Sequence, residues 1–389
     1  MDPFLQKFLT STDEMIIEKV REFSEKYLTE SEAKEIERTD GITPRIVDAS
    51  RAVGLFGIRV PERYGGSGLD LFPSLLIHEV ISSYSLSVGV YLDQTLFVEP
   101  VIKFGTEDQK ERYLGEVARE GVTTTSAMTE PLAGSDILGI SSKATRVEGG
   151  WKLNGVKTFI TMGDQANCFV VFAKTSEGRG KDSLTAFLVE RGTKGLQIGK
   201  SIEKIGQVGT HINEIFLEDL LIEDRNVLGK VGQGYEIAMY SYQYGRLTVA
   251  VQALGLAEGL MKKSVDFSLN RKAFDQQINR FQLIKDYIAR MDVMIETAKS
   301  MIYRASTFEG TPLFSEYTSI SKLYATEICT EVARLAVKIH GGMGVTRDMG
   351  LERALRDAVI QEIYEGTNEV QKLIISKDAT DRYRGESSR

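Results

Sequence analysis

The hydrophobic pattern of this chain changes at Trp151-Lys152-Leu153-Asn154-Gly155-Val156-Lys157-Thr158-Phe159-Ile160-Thr161. Two β-prone runs flank an Asn-Gly pair, and both central residues of a type I′ turn must accept a positive φ. The stretch therefore predicts a β-hairpin that turns at Asn154-Gly155. Phe159 and Thr161 would share one face of the second strand, because they are two residues apart. A flat cofactor could stack on that face, although a lone Phe is more often a core residue.

The β pattern extends in both directions from this stretch, over residues 122–231. Before it, residues 1–121 have apolar positions three and four apart, and after it residues 232–389 return to long helical patterns. The predicted fold is α+β, with an N-terminal all-α domain, a middle antiparallel β-domain and a C-terminal α-helical bundle. Strands are predicted over 122–127, 151–153, 156–160, 169–173, 186–189 and 214–217, and C-terminal helices over 235–270, 281–309 and 316–339.

Composition excludes several classes of function. The chain has 389 residues, 42% hydrophobic and 26% charged, with a formal charge of −7, which is typical of a globular protein and not of a nucleic-acid partner. Two distant cysteines and three scattered histidines predict neither a disulfide framework nor a metal site. We find no targeting segment and no apolar run long enough for a membrane span, so a cytoplasmic protein without membrane contact is expected.

Chemistry near the C-terminus is suggested by Ile363-Tyr364-Glu365-Gly366-Thr367-Asn368-Glu369-Val370-Gln371. Thr367 can cap a helix, and unpaired N–H groups at a helix start attract anions or polarise a carbonyl. Glu365 is thus a candidate base beside a helix start. Taken alone, a solvated turn carboxylate is the more common role for such a residue.

A second candidate is the loop Met128-Thr129-Glu130-Pro131-Leu132-Ala133-Gly134-Ser135-Asp136. Its hydroxyls and small residues could bind a cofactor, but a decorated turn fits the loop equally well. The chain has no GxGxxG after a strand, no Walker loop and no GxSxG elbow.

Together these motifs resemble the acyl-CoA dehydrogenase family of flavoproteins, over nearly the whole chain. The resemblance is carried by Thr129-Glu130-Pro131 with Ala133-Gly134-Ser135-Asp136, Leu153-Asn154-Gly155-Val156-Lys157 leading to Ile160-Thr161, Arg271-Lys272-Ala273-Phe274, His340-Gly341-Gly342-Met343-Gly344 and Tyr364-Glu365-Gly366-Thr367. It implies a homotetramer with one FAD per subunit. The residues implied to bind FAD are Met128, Thr129, Ser135, Phe159, Thr161, Thr367 and Glu369 and, across a subunit interface, Arg271, Phe274, Gln282, Lys338, Gly341 and Gly342.

The resemblance also implies a reaction. The family removes an α-proton and a β-hydride from an acyl-CoA, the hydride passes to flavin N5, and electrons go to an electron-transfer flavoprotein. Glu365 matches the base, and its backbone N–H would bind the thioester oxygen together with a flavin ribityl hydroxyl. Gly245 stands at the family's alternative base position and cannot serve. The residues implied to contact the substrate are Ser135, Gln243, Arg246, Tyr364 and Gly366.

The chain departs from the family pattern at Lys338, Leu132, Val208 and Ile212, which suggests a modified acyl pocket or interface. No Lys, Arg or His lies between His78 and Lys103, which disfavours a dicarboxylyl substrate. A short, branched, cyclic or aromatic acyl group is expected. The alternatives are an enoyl-CoA reductase or β-elimination enzyme using the same site, and a non-catalytic flavoprotein subunit.

Overall fold

The computed structural model describes residues 5–385. It begins with a helical region. The helices are α1 (Ser11–Tyr27), α2 (Glu30–Thr39), α3 (Pro44–Val53), α4 (Leu71–Tyr84), α5 (Leu86–Leu92), α6 (Thr95–Phe104), α7 (Glu107–Gln109) and α8 (Gly115–Glu120). Helix α1 alternates buried and exposed positions, whereas α4 is buried along most of its length. The predicted apolar region around residues 72–101 thus forms three helices, α4 to α6, and these supply much of the N-terminal core.

The middle region is an eight-stranded sheet. Its strands are β1 (Thr124–Ala127), β2 (Lys143–Val147), β3 (Gly150–Thr161), β4 (Cys168–Lys174), β5 (Leu184–Glu190), β6 (Leu196–Ser201), β7 (Ile212–Glu223) and β8 (Val227–Leu228). The strand order is β6-β7-β3-β2-β4-β5-β8, with β1 added beside β4. Most ladders are antiparallel, as predicted. However, β1 runs parallel to β4 and β2 meets β4 at one parallel pair, so the sheet is mixed.

The predicted hairpin turn at Asn154-Gly155 is wrong. Strand β3 continues through this pair and remains paired with β7 on both sides, with a register shift at the pair. The Asn154 side chain exchanges hydrogen bonds with Asp219 of β7. A Cβ on Gly155 would lie 2.1 Å from the Ser142 hydroxyl oxygen. The Asn-Gly pair therefore forms a bulge with a close approach, and the hairpin turns earlier, at Glu148-Gly149.

The C-terminal region is helical. Its helices are α9 (Gly234–Asn270), α10 (Gln282–Ser306), α11 (Phe314–His340), α12 (Leu351–Gln361) and α13 (Asn368–Tyr383), and a short hairpin of β9 (Lys272–Ala273) and β10 (Gln276–Gln277) follows α9. The three long predicted helices are confirmed to within a few residues at each end. Helix α9 packs against both α4 and α11, and its central segment, 247–257, is buried on all sides. It therefore joins the two helical regions into one core. No helix within residues 5–385 combines the length and apolarity that crossing a bilayer requires.

Candidate active site

Glu365 lies in the turn between α12 and α13, in the left-handed region with φ 57°. Gly366 follows with φ 85°, and the Gln371 side-chain amide donates to the carbonyl oxygens of both residues, at 3.1 and 2.9 Å. Thr367 caps α13, as predicted, by accepting the Val370 N–H at 3.3 Å. A non-glycine residue with positive φ is uncommon and persists where its surroundings hold it. The turn is therefore a fixed platform for the Glu365 side chain.

The Glu365 carboxylate points at the middle of α9. A Cβ added to Gly245 would lie 2.6 Å from Glu365 Oε2 and 2.9 Å from Leu96 Cδ2 of α6. The space that a side chain at 245 would fill is thus already occupied by the Glu365 carboxylate. Oε2 itself is buried and has no hydrogen-bond partner among the described residues. A buried carboxylate oxygen without a donor is costly, and such groups mark functional sites.

Charges around Glu365 act in opposite directions. Burial raises the pKa of Glu365 to about 8, and the negative charge of Asp93 adds to this effect. Arg246 and Lys322 favour the ionised form and partly offset the rise. A carboxyl with a pKa near neutrality can both take and return a proton, which suits a general base.

Arg246 and Lys322 are themselves buried cations with few partners. Lys322 is completely buried and donates to Asn368 Oδ1 at 2.9 Å, and burial lowers its pKa to about 8. Arg246 donates to the Ser319 hydroxyl at 3.4 Å, while its Nε is buried and finds no acceptor among residues 5–385. Burial also lowers the pKa of Arg246. Both cations therefore depend on Glu365 for part of their electrostatic compensation.

The predicted cofactor loop is held by a buried ion pair. Lys157 of β3 is fully buried and donates to Glu130 Oε1 at 2.8 Å and to the Met128 carbonyl at 3.1 Å. The Thr158 N–H donates to the Thr129 carbonyl at 2.9 Å. Burial opposes ionisation of Glu130, but Lys157 and the donors from the segment at 141–142 outweigh it and lower the pKa of Glu130 to about 2. The loop is thereby fixed along β3.

The end of β3 presents a surface next to that loop. Phe159 has φ 55° and is 59% exposed, and Thr161 is also exposed, while Ile160 between them is buried. Both side chains are thus open to solvent, and their sharing one face of the strand stays a prediction. Ser135 is exposed on the loop, and Leu132 is 99% exposed, so its extra bulk is not packed within this chain.

Of the other predicted cofactor residues, Glu369 lies in the first turn of α13, and six lie around the far end of α9. Arg271 follows Gly245 by 26 residues, which is about 39 Å of helix. Phe274 is 90% exposed at the tip of the β9–β10 hairpin, and Gln282 is exposed at the start of α10. Lys338 lies over the Tyr287 ring at 5.7 Å. One chain does not bring these residues to Glu365.

Helix α11, which carries Lys338 in its last turn, is followed by the Gly341-Gly342 loop. Gly341 has φ 59°, and a Cβ on Gly341 or Gly342 would meet no atom of the described residues within 4 Å. His340 stacks on Phe267, with ring centroids 4.2 Å apart, and this contact joins the loop to the end of α9. The Gly-Gly loop and the hairpin therefore form one exposed patch at the same end of the helical region.

Sequence reasoning missed three residues near Glu365. Asp93 and Lys322 act on it electrostatically, and Gln207 donates to the Tyr364 hydroxyl at 3.4 Å. Gln207 is buried with φ 50°. The one signal in the sequence was that Gln207 lies next to Val208, where the chain departs from the family pattern.

The predicted substrate residues lie in three places. Tyr364, Gly366 and Arg246 adjoin Glu365. Gln243 donates to the Met239 carbonyl within α9, and Ser135 lies on the cofactor loop.

Comparison with known proteins identifies the family. Models of the acyl-CoA dehydrogenase N-terminal, middle and C-terminal domains match residues 10–121, 125–220 and 232–380. An acyl-CoA dehydrogenase of Bacillus subtilis is 36% identical over 372 residues, covering 95% of this chain and 98% of the relative. The caffeyl-CoA reductase-Etf complex subunit CarC of Acetobacterium woodii has the same identity and coverage.

Solved structures agree. Butyryl-CoA dehydrogenase from Megasphaera elsdenii superimposes with a TM-score of 0.92 and 34% identity, over 96% of this chain and 99% of that one. The FAD complex of PigA gives a TM-score of 0.90 and 28% identity, over 98% and 99% of the two chains. The chain belongs to the acyl-CoA dehydrogenase family. It is an oxidoreductase of the flavoprotein type, and its cofactor is FAD.

The residues present fit such a cofactor. The exposed Phe159 offers a ring surface beside the fixed loop, and Gly134 has no atom near the position of a Cβ, so backbone can approach a ligand closely there. At the start of α13, Asn368 Nδ2 and Gln371 Oε1 are buried without partners among the described residues. Buried polar atoms without partners are uncommon in folded proteins and are found at ligand sites.

Proposed function

We propose that this protein catalyses the α,β-dehydrogenation of an acyl-CoA thioester to the 2-enoyl-CoA, with Glu365 as the base that removes the α-proton. The observation that carries the proposal is the buried, unpartnered Oε2 of Glu365, held in a positive-φ turn against Gly245. FAD, when bound, supplies the acceptor for the β-hydride. Removal of the α-proton is the task of this chain's own residues.

The turn also provides a backbone N–H that can make the α-proton more acidic. The Glu365 backbone N–H donates to no acceptor within residues 5–385. An N–H aimed at a thioester oxygen stabilises the negative charge that develops there, and loss of one such donor costs about 10²- to 10³-fold in rate. Gly366 beside it has no side chain to block the thioester. Tyr364, whose hydroxyl is held by Gln207, would border the acyl chain.

For the cofactor, we propose two groups of contacts. Met128, Thr129, Ser135, Phe159 and Thr161 would hold the flavin half, and Thr367 and Glu369 the adenosine-diphosphate half. The second group comprises Arg271, Phe274, Gln282, Lys338, Gly341 and Gly342, which would reach the FAD of a neighbouring subunit. Arg271 lies about 39 Å of helix from Gly245, and this distance supports the division and, with it, a homotetramer. Within each subunit we place the three domains at 1–121, 122–231 and 232–389.

For the substrate, we propose a short, branched, cyclic or aromatic acyl group bound between α4–α6 and α9, with Gln243 and Arg246 near the CoA channel. Electrons would pass to an electron-transfer flavoprotein, as the name of the Acetobacterium woodii relative suggests. That relative is named a caffeyl-CoA reductase, so the reverse reaction, reduction of an enoyl-CoA, is the second candidate.

An anaerobic titration tests the proposal. The yellow holoenzyme is mixed with a panel of saturated acyl-CoA thioesters while the visible flavin absorbance is followed. At least one thioester is expected to bleach the flavin within the dead time of manual mixing. If none bleaches it, while an enoyl-CoA reoxidises chemically reduced enzyme rapidly, the reductase assignment replaces the dehydrogenase.

A further inference from the structure

Asp93 occupies the corner between α5 and α6. One of its carboxylate oxygens, Oδ1, accepts the Thr95 N–H at 2.9 Å. The Thr95 hydroxyl lies 3.4 Å from the Thr248 hydroxyl of α9. The corner is therefore packed onto the α9 face that carries Thr248.

That face also carries Gly245, one turn before Thr248. Leu96, the next residue of the corner, approaches the same point on Gly245 as the Glu365 carboxylate does. The corner at 93–96, this face of α9 and the Glu365 turn thus meet around Gly245.

The negative charge of Asp93 affects the pKa values of groups on other elements. Besides burial, it raises the pKa of Glu365, and it contributes to the raised pKa of Tyr364 in the same turn. It also opposes the lowering of the pKa of His78 on α4. Groups on two separate elements therefore respond to one carboxylate.

Asp93 has no compensating cation in the part of the chain that the structure describes. It takes part in no ion pair within residues 5–385, and the Thr95 N–H is its one hydrogen-bond donor there. The side chain is half-buried. A carboxylate in such a place, next to a second carboxylate, is stabilised when a ligand supplies a donor.

We propose that Asp93 lines the acyl pocket and selects an acyl group that carries a hydroxyl. The proposal rests on the proposed function, since it places the acyl chain of that reaction beside the corner at 93–96 and the Glu365 turn. A hydroxyl would donate to the free lone pairs of Asp93. An acyl group ending in a carboxylate would be repelled by it, and a purely aliphatic group would leave the carboxylate without a second donor.

Binding of matched pairs tests this. The probes are cinnamoyl-CoA against 4-hydroxycinnamoyl-CoA, and crotonyl-CoA against 4-hydroxycrotonyl-CoA. Their Kd values are read from the perturbation of the flavin spectrum of the oxidised holoenzyme, which needs no turnover. The natural enzyme is expected to bind the hydroxylated member of at least one pair about 10- to 100-fold more tightly, as a hydrogen bond to a charged group provides.

Three variants complete the test. Asp93→Ala should bring the preference to near unity, and Asp93→Asn should retain part of it because an amide oxygen still accepts. Asp292→Ala, which removes an exposed carboxylate from α10, should leave it unchanged. Equal Kd values within both pairs for the natural enzyme, or an undiminished preference in Asp93→Ala with full FAD content, would overturn the proposal. These Kd values are informative even if no saturated thioester reduces the flavin, so failure of the dehydrogenase assignment is a separate result.

Discussion

Opposing effects act on the ionisation of the Glu365 carboxylate. Burial and Asp93 favour its protonated form, whereas Arg246 and Lys322 favour the ionised form. Burial and the charge of Glu365 both raise the pKa of Tyr242. With a pKa of about 8, the base of the substrate-free protein is mostly protonated at pH 7. Activity should then increase as the pH rises through 8.

The pH dependence of kcat/KM for acyl-CoA oxidation provides the first prediction, because this parameter reports the free enzyme. The acid limb should have an apparent pKa near 8. Asp93→Asn removes a charge that raises this pKa and should move the limb to lower pH. Lys322→Met removes a charge that lowers it and should move the limb to higher pH. Shifts in the same direction for both variants would contradict the electrostatic assignment.

Gly245→Ala is predicted to displace the base. The new methyl would meet Glu365 Oε2 at 2.6 Å, and the flexible carboxylate is the group that can give way. A misplacement of about 1 Å can cost 10²-fold in rate. Stopped-flow flavin reduction should therefore slow by about that factor, while FAD content and the unfolding temperature change little. An unchanged rate would show that the carboxylate does not need its present position.

At this scale the sequence predicts roles for Glu365, Gly245 and Arg246, because each lies in a recognisable local pattern. Asp93 and Lys322 could not be predicted in the same way. Their proximity to Glu365 arises from packing of α5–α6 and α11 around α9, and neither residue has a local signal that distinguishes it from a surface charge.

At the scale of elements, the buried pair of Glu130 and Lys157 joins the cofactor loop to β3. Removing one partner leaves a buried charge unpaired, which typically lowers the free energy of unfolding by about 3–5 kcal/mol. Replacing both partners can leave the stability nearly unchanged. Lys157→Met is therefore predicted to lower the unfolding temperature and weaken FAD binding to the apoprotein. Adding Glu130→Gln to Lys157→Met should recover much of the stability.

The readouts for this pair are thermal unfolding and quenching of FAD fluorescence on titration with apoprotein. FAD binding should remain weaker in the double variant than in the natural protein, since the Met128 carbonyl loses its donor in both. Identical FAD affinity in all three proteins would show that the ion pair has no role in shaping the loop.

The Asn154-Gly155 bulge shows the limit of prediction for elements. An Asn-Gly pair between β-prone runs indicates a turn locally, but strand β7 is long enough to pair with both runs at once. The contact that decides the outcome, Asn154 with Asp219, spans 65 residues. By contrast, Thr367 and the ends of α9 were predicted well because caps and apolar spacing are local properties.

For the molecule as a whole, the α–β–α order could be predicted because periodicity changes at the two boundaries of the β-region. The mixed sheet could not, since parallel pairing of β1 with β4 leaves no mark in either strand alone. The separation of the predicted cofactor residues along α9 also became visible only in the folded chain.

That separation predicts that assembly and FAD retention depend on the β9–β10 hairpin. Phe274→Ser should weaken the oligomer and increase FAD loss on dilution, because its exposed ring would no longer reach a neighbouring subunit. Leu221→Ser, at a 60% exposed position on β7, is the matched control and should change neither property. Size-exclusion chromatography with light scattering and FAD absorbance measures both. A Phe274→Ser protein with unaltered mass and FAD content would contradict the proposed interface.

The most direct test of the central claim is the rate of flavin reduction by a saturated acyl-CoA in the Glu365→Gln variant. The variant should keep its FAD and its fold, since an amide fills the same space without a buried charge. Its reduction rate should fall by at least about 10²-fold, the usual contribution of a general base. Bleaching at the rate of the natural enzyme would contradict the assignment of Glu365 as the proton acceptor.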